Sequence, residues 1–310
     1  IIKYIIKVYQ LKPAVVHCHD FDTYFVGLIY SVFSNKSKLV FDAHENFSIM
    51  MKPLVPKVIY HFIYGLEKIF TKYTDLVIGA CDATANHYRK MGAKNVIVVG
   101  NWKNPDLYHF PKEQLENKRD EIGANDRLII TYIGSLTEDR NVLPLIEAVQ
   151  KRPWAYLIIG GSGGQEEDIR VLIQEYSNVY YPGYIHPDDV PLFTAISDVI
   201  YYGLDSSDPY APYNAPNKLF EALAAGKPIL AFNLGGELSN VIRTCECGVL
   251  VSSVTPNAIG EAIDQLADVE LRSEMARKSK SAGETSYNWK IANQKLISAY
   301  DELLKNQVRL

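Results

Sequence analysis

The sequence predicts an α/β fold in two domains, each built on a parallel sheet covered by helices. The 310 residues suit about two domains of ordinary size. Short runs rich in Val and Ile alternate with longer amphipathic segments, a rhythm typical of strand–helix–strand units in parallel sheets. The 47% apolar and 22% charged fractions exclude disordered, collagen-like and coiled-coil classes.

The first hundred residues alternate four predicted strands with three predicted helices. Each strand is short, apolar and bounded by polar residues. Asp82 is the expected N-cap of the third helix, and Gly92 is the expected residue after its last turn. The predicted strands are 15–18, 38–41, 75–80 and 95–100, and the predicted helices are 23–34, 56–72 and 82–91.

A second domain is predicted after a break in this rhythm at residues 101–126, which hold prolines, asparagines and a charged run and are expected to form the linker. Helices then alternate with six further strands, and residues 270–304 form a helical tail with one apolar stripe. The predicted strands are 128–133, 155–159, 179–181, 198–202, 228–232 and 248–251. The expected division is 1–104, 105–285 and a terminal helix at 286–310 that packs across the domain junction.

Charge and cysteine usage indicate the surroundings of the protein. Residues 1–104 carry a net charge of +6 and residues 105–310 a net charge of −10. This split favours an anionic partner or surface for the first part, although chance is an equal alternative. The four cysteines lack paired metal-site spacing and predict reduced thiols in the cytoplasm. No apolar stretch is long enough for a transmembrane helix.

Two polar clusters directly follow neighbouring predicted strands of the first domain, at residues 17–20 and 41–46. Because the carboxyl ends of parallel strands meet at one rim of a sheet, their His and Asp residues are candidate acid–base or hydrogen-bonding groups. Strand capping by the histidines is the alternative. A metal site is a further option, disfavoured because no known ligand spacing occurs.

Three clusters in the second domain suggest an anion site. Residues 132–141 form a strand, a Gly turn and a helix start with Arg140. The Gly-rich run 159–164 lacks the dinucleotide register and predicts mainly a tight turn. In a third segment, Lys218 and Glu221 share one helix face near the helix start. The Lys218 ammonium and the free backbone amides there suit a diphosphate, and the Glu221 carboxylate suits the hydroxyls of a ribose. Surface residues at ordinary turns, or a surface ion pair, are the alternatives.

Five segments in order resemble the retaining glycosyltransferases of family 4, the group 1 type, which have the GT-B fold. They are the H-x-H-D-x-D-T match at 17–23, the Y-D-x-H-E match at 41–45, the donor-domain opening at 133–149, the nucleobase stretch at 183–193 and the donor-site signature at 214–228. The resemblance implies two Rossmann-like parallel-sheet domains facing a cleft. It also implies an N-terminal domain that lacks its first strands, roughly 60–90 residues.

The resemblance also implies roles for individual residues. Arg140 and Lys218 would grip the donor diphosphate and stabilise charge on the departing nucleotide, and Glu221 would hold the ribose hydroxyls. His44 would lie beside the transferring sugar, and no metal is expected. The other implied contacts are His19 and Asp20 on the acceptor side and Gly134, Ser135, Tyr184, Ile185 and Asn217 on the donor side.

The expected function is transfer of a hexose, with retention, from a UDP- or GDP-sugar to a glycan or lipid-linked acceptor in surface polysaccharide synthesis. Tyr213 stands where many relatives carry a second Glu, which leaves the donor sugar open. The alternatives are a nucleotide-binding scaffold without transfer activity and a nucleotide-sugar 2-epimerase of the same fold. No nucleic-acid partner is expected.

Two segments, 1–12 and 56–72, interleave lysines with Ile, Tyr and Phe. Basic amphipathic helices of this kind lie on anionic membrane surfaces. The expected location is therefore cytoplasmic, with a peripheral position on the inner face of the membrane as an open option. Packing of these apolar faces on the sheet is the alternative.

Overall fold

The computed structural model describes residues 2–34, 37–204 and 210–305, and the chain divides into two compact units. The first comprises Ile1–Asn101 with Lys290–Leu310, and the second is Trp102–Trp289. The last segment of the chain thus clusters with the first hundred residues. Packing of the terminal helix across a domain junction stays a prediction.

The described residues contain two all-parallel sheets with helices between successive strands. The strands are β1 Val15–His19, β2 Lys38–Ala43, β3 Leu76–Gly79, β4 Val96–Val98, β5 Leu128–Ile133, β6 Ala155–Gly160, β7 Val179–Gly183, β8 Val199–Tyr202, β9 Ile229–Phe232 and β10 Gly248–Val251. The helices are α1 Ile2–Leu11, α2 Asp20–Phe33, α3 Phe47–Met51, α4 Lys57–Lys72, α5 Asp82–Met91, α6 Lys112–Glu121, α7 Val142–Gln150, α8 Glu166–Leu172, α9 Val190–Ile196, α10 Asn217–Ala225, α11 Gly236–Cys245, α12 Pro256–Ala267, α13 Val269–Thr285 and α14 Trp289–Lys305.

The first unit is a four-stranded sheet in the order β1-β2-β3-β4. Because side chains alternate between the faces of a strand, Phe41 packs on Tyr24 of α2 with ring centroids 4.0 Å apart, while Val40 packs with Leu303 of α14 on the other face. Both faces of this sheet are therefore covered, as expected of a parallel sheet.

The second unit is a six-stranded sheet in the order β10-β9-β8-β5-β6-β7. The chain winds outward from β5 in one direction through β6 and β7, and then restarts on the other side of β5 at β8. The strand order therefore reverses between β5 and β8, and in open parallel sheets ligands bind beyond the carboxyl ends of the strands at such a point.

Two details of the sequence-based assignment are wrong. Helix α5 spans Asp82–Met91 as expected, but its N-cap is Cys81, whose sulfur accepts a hydrogen bond from the Thr84 amide. Asp82 instead lies in the first turn, where its carboxylate favours the helix dipole. The expected linker contains α6. The helical tail predicted over 270–304 consists of α13 and α14, and α14 lies within the terminal helix predicted at 286–310.

The second of these helices begins where it does because of a contact made by its first residue. The Trp289 amide donates to the carbonyl of Lys103 at 3.0 Å, within a short parallel bridge between Lys103 and Asn288. Backbone amides paired in this way are not available to continue the preceding helix.

Within the described part of the chain, no helix is both long and apolar enough to cross a membrane.

Candidate active site

The loop that follows β5 lies at the switch point of the second sheet and approaches a buried lysine. Gly134 has φ +159° and donates its amide to the Gly160 carbonyl at 2.8 Å. A Cβ atom at Gly134 would lie 2.5 Å from Lys218 Nζ. Glycine therefore lets the ammonium group lie directly against the backbone beyond β5.

Lys218 stands in the first turn of α10, and its ammonium lies over two aromatic faces. Nζ is 4.9 Å from the ring centroid of Tyr132, near the end of β5, and 5.8 Å from that of Tyr202, at the end of β8. Burial lowers the pKa of Lys218 to about 8; Glu221 opposes this effect and Arg140 adds to it. The fold thus places a desolvated cation at the switch point. An anion bound there would compensate for the hydration that the ammonium loses on burial.

Arg140 is fixed by the loop that follows β8. It ends a 3-10 turn, and the next residue, Asn141, has φ +51°, a left-handed conformation that Asn tolerates well. The Asn141 side-chain amide donates to the Gly203 carbonyl at 2.8 Å, and the Tyr201 hydroxyl donates to the Asn141 carbonyl at 3.1 Å. The end of β8 therefore positions the turn that carries Arg140, whose Nε lies 3.2 Å from Asp139 Oδ2.

Glu221 lies one turn after Lys218 and is paired with Lys103, a residue outside the sequence motifs. Lys103 Nζ is 3.9 Å from Glu221 Oε1 and donates to Asn217 Oδ1 at 2.8 Å. Burial raises the pKa of Glu221, while Lys103 and Lys218 lower it. The structure therefore does not show a surface ion pair between Lys218 and Glu221. Both side chains are largely buried, and Lys103 links the Glu221 carboxylate to the start of the helix.

The glycine-rich loop after β6 packs against the loop after β5. Gly161 has φ +135°, and a Cβ there would overlap the Gly134 carbonyl oxygen. The Leu136 amide donates to the Ser162 carbonyl at 2.9 Å, so the two loops are joined through their backbones. This is the tight turn expected from the sequence, and its glycines serve close backbone approach.

The structure separates the other expected donor contacts into exposed and buried residues. Ser135 and Asn217 are exposed, and the Ser135 carbonyl accepts from the Tyr132 hydroxyl at 2.5 Å. Tyr184 is 67% exposed, whereas Ile185 is buried in the core against Gly160. The aromatic ring of Tyr184 is thus accessible to solvent just after β7, whereas Ile185 is part of the core that packs against the strand ends.

The first unit gathers its candidate residues around Asp42, at the carboxyl end of β2. Because β1 and β2 pair in register, His19 lies opposite Asp42. Asp42 Oδ2 is 3.0 Å from His19 Nδ1, 3.4 Å from His44 Nε2 and 3.5 Å from His17 Nε2. The Asp20 carboxylate accepts from the His44 amide at 3.3 Å. All of the residues predicted for the acceptor side therefore form one cluster.

Burial raises the pKa of Asp42, but this is outweighed by the hydrogen bond from His17 and the charges of His44, His17 and His19, so its pKa lies below the ordinary value. His17 Nδ1 is in turn hydrogen bonded to the Tyr300 hydroxyl of α14. No sequence pattern marks Tyr300, which lies more than 250 positions away from His17 along the chain and joins the cluster only through tertiary packing. The parallel register alone could have identified Asp42 as its centre.

The segment after His44 is held by a second buried carboxylate that sequence reasoning missed. Glu67 of α4 is fully buried, accepts from the Tyr88 hydroxyl at 2.7 Å and from the Ser48 amide at 3.3 Å, and lies 3.8 Å from His87. Since Ser48 lies in the first turn of α3, just after His44, this network holds the end of the loop that carries His44.

Solved structures of known proteins define the class of fold. HepE of Anabaena superposes with a TM-score of 0.80 at 18% identity, covering 96% of this chain and 82% of that one. Sucrose-phosphate synthase of Thermosynechococcus elongatus gives 0.75 at 19% identity, covering 98% and 78%. Two Rossmann-like units with parallel sheets, as in these structures, are the GT-B fold of glycosyltransferases.

The family follows from the sequence match. The family model described as glycosyl transferases group 1 matches residues 113–285, more than half of the chain. The chain belongs to this family. It is 25% identical over 202 residues to Spore coat protein SA of Bacillus subtilis, covering 60% of this chain and 52% of that protein.

A second relative matches most of the chain. Uncharacterized glycosyltransferase MJ1607 of Methanocaldococcus jannaschii is 25% identical over 309 residues, covering 93% of this chain and 75% of that protein. Against the relatives from Bacillus subtilis that match about 200 residues, the chain spans about half of their length.

Proposed function

We propose that this protein transfers a hexose from a nucleotide-diphosphate sugar to a glycan or lipid-linked acceptor, with retention, in surface polysaccharide synthesis. The observation that carries the proposal is the buried ammonium of Lys218 against Gly134 at the switch point of the second sheet. A desolvated cation beside the free amides of a helix start suits a diphosphate. Arg140 and Glu221 lie on elements that border the same position.

In the proposed reaction, charge develops on the departing nucleoside diphosphate as the bond to the sugar breaks. Lys218 and Arg140 stabilise that charge, and they do so strongly because the lysine is already out of water and needs no reorganisation. Glu221 accepts hydrogen bonds from the ribose hydroxyls, and Tyr184 packs on the base. Two cations supply the charge stabilisation that metal-dependent enzymes obtain from an ion, so we propose transfer without a metal.

Similar proteins support both the proposed nucleotide-sugar donor and the proposed role in surface polysaccharide synthesis. Structures of Anabaena HepE contain UDP or UDP-glucose. Relatives further include a lipopolysaccharide core biosynthesis glycosyltransferase, LpsE of Rhizobium meliloti, at 25% identity over 186 residues. On the acceptor side we propose His44 beside the transferring sugar, with His19 and Asp20 toward the acceptor, because these three residues meet around Asp42.

The test is a panel of UDP- and GDP-hexoses offered to the protein with membrane lipid extract as acceptor. Release of UDP or GDP together with a labelled lipid or glycan product is expected for at least one donor, and NMR of that product is expected to show the anomeric configuration of the donor. Nucleotide binding by calorimetry with no turnover for any donor would instead indicate a nucleotide-binding scaffold.

The lowered pKa of Lys218 predicts how UDP binding depends on pH. In the protein without UDP, Lys218 loses its charge as pH rises through about 8. UDP affinity should therefore fall by on the order of 10-fold between about pH 7.5 and pH 9.5. Lys218→Arg keeps its charge over this range and should bind UDP with a nearly constant affinity. Calorimetry at several pH values checks this, and a wild-type affinity that is flat to about pH 9.5 contradicts it.

We also propose that the first unit rests on an anionic membrane surface through α4. The solvent face of this helix carries an apolar stripe in which Val58 is 81%, Phe62 66% and Ile69 52% exposed. Exposed lysines at 57, 68 and 72 flank the stripe. An apolar stripe bordered by cations is the pattern of a helix lying at a lipid interface. The exposure favours this over the alternative in which the stripe packs on the sheet.

Vesicle binding tests this surface. Phe62→Ser is expected to lower the partition onto vesicles rich in phosphatidylglycerol by on the order of 10-fold, because a partly inserted aromatic ring no longer leaves water. Val171→Ser, at an equally exposed apolar residue of α8 in the second unit, is the matched control and should change nothing. Binding by the wild type that is equal on purely zwitterionic vesicles would reject the proposal.

A further inference from the structure

We propose that His17, His19 and Asp42 form a binding site for a divalent transition-metal ion of the zinc type, with His44 completing the ligand set. The site is an inhibitory one, because the ion would occupy the same histidines that the proposed function assigns to the acceptor side. Metal binding itself stands on the geometry alone, and only the inhibition rests on the proposed function.

The backbone of the first sheet brings the ligand atoms together. His17 and His19 are two positions apart on β1 and therefore point to the same side of the sheet. Asp42 lies in register opposite His19 on β2. One ligand atom from each of these three residues lies within 4.8 Å of the other two. Three potential ligands thus converge from two paired strands. They include no helical His-x-x-x-His pair, so the spacing of these residues in the sequence does not indicate a metal site.

The distances match those between the ligands of a single ion. A tetrahedral zinc ion with bonds of about 2.0–2.1 Å holds its ligand atoms about 3.3 Å apart. Asp42 Oδ2 is 3.0 Å from His19 Nδ1 and 3.5 Å from His17 Nε2. His44 Nε2 lies 3.4 Å from both Asp42 Oδ2 and His19 Nδ1. Two imidazoles and one carboxylate converge here, and the His44 imidazole lies close to two of their three ligand atoms; such a borderline-soft set suits zinc, cobalt or nickel.

The outer contacts of the cluster are those of metal-binding histidines. His17 Nε2 is buried and lies 3.5 Å from Asp42 Oδ2, so this nitrogen and the carboxylate face the same position. Its Nδ1 pairs with the Tyr300 hydroxyl, which fixes the ring orientation. A ligand histidine characteristically uses its second nitrogen in this way. The loop of His44 is likewise held by Asp20 at its amide.

Cobalt and zinc titrations test the site directly. Co²⁺ should bind with one-to-one stoichiometry and give the intense visible bands of four-coordinate cobalt, and Zn²⁺ should displace it. His19→Ala and Asp42→Asn should each weaken Zn²⁺ binding by at least about 100-fold, and Tyr300→Phe by about 10-fold through loss of the outer contact. His186→Ala is the matched control, since His186 forms an exposed pair with Asp188 at 3.3 Å in the second unit.

Each outcome decides one part of the proposal. Equal Zn²⁺ affinity in wild type, His19→Ala and Asp42→Asn, with unchanged melting temperatures, overturns the site. Tyr300→Phe removes only the hydroxyl group and keeps the packing of the ring, so this variant should remain folded. A 10-fold loss of its Zn²⁺ affinity would therefore show that metal binding depends on the hydrogen bond to His17. Zn²⁺ binding that leaves sugar transfer unchanged overturns the inhibition. Intact cobalt bands in a protein that transfers no sugar from any donor would support the site and reject the proposed function instead.

Discussion

Replacing Lys218 with methionine is expected to lower kcat/KM for the sugar donor by on the order of 100- to 1,000-fold. The buried ammonium lies against the backbone of Gly134 at the switch point, and a single preorganised charge of this kind contributes that much to transition-state stabilisation. Methionine keeps most of the apolar stem that packs over Tyr132 and Tyr202 but removes the charge. Initial rates with the best donor of the panel, together with UDP binding by calorimetry, measure the effect.

The same substitution should leave the protein folded. Burial disfavours the charged lysine in the free protein, as its lowered pKa indicates, so methionine is expected to raise the melting temperature or leave it unchanged. Lys227→Met is the matched control: Lys227 is a second buried lysine of the same segment, but the charges that act on it are Asp198 and Arg119. Loss of activity in Lys227→Met equal to that in Lys218→Met, or activity of Lys218→Met within about 3-fold of wild type, would contradict the assigned role.

Gly161→Ala is expected to destabilise the second unit by roughly 2–5 kcal/mol. Two costs add: a left-handed φ of +135° that alanine adopts only under strain, and a methyl group that overlaps the Gly134 carbonyl oxygen. The melting temperature of this unit should fall by on the order of 10 °C. Because Gly134 must shift to relieve the overlap, UDP binding near Lys218 should weaken as well.

Gly164→Ala provides the control for this prediction within the same loop. A Cβ at Gly164 meets nothing within 4 Å, so alanine should be tolerated with a change of less than about 0.5 kcal/mol. Thermal unfolding followed by circular dichroism distinguishes the two variants. Similar melting temperatures for Gly161→Ala and wild type would show that the two loops are not joined as closely as the structure indicates.

Much of the architecture could be predicted because apolar periodicity acts locally. The bounds of β5, β10 and α5 agree with their predicted ranges. These segments begin and end at Gly, Pro or charged residues whose backbone preferences are strong. The errors fall where one local rule competed with another: Cys81 rather than Asp82 caps α5, and the charged run expected to belong to a linker forms α6.

The candidate sites were predicted less completely than the fold. The motif residues Lys218, Glu221 and Arg140 could be found from spacing, because a helix start and a strand end position them locally. Lys103 and Tyr300 could not, because each meets its partner only after distant segments have packed together. Lys103 pairs with Glu221 across more than a hundred residues of chain, and no pattern near position 103 indicates a partner.

The sequence by itself determined two parallel α/β units, membership in a glycosyltransferase family and the chemical types of the candidate residues. Tertiary structure alone decided that Asp42 is the centre of three histidines and that Lys218 is a desolvated cation rather than a surface ion pair. The physical reason is that strand and helix preferences act over a few residues. The register between strands and the burial of a charge depend on the whole core, and these set the distances and pKa values on which function depends.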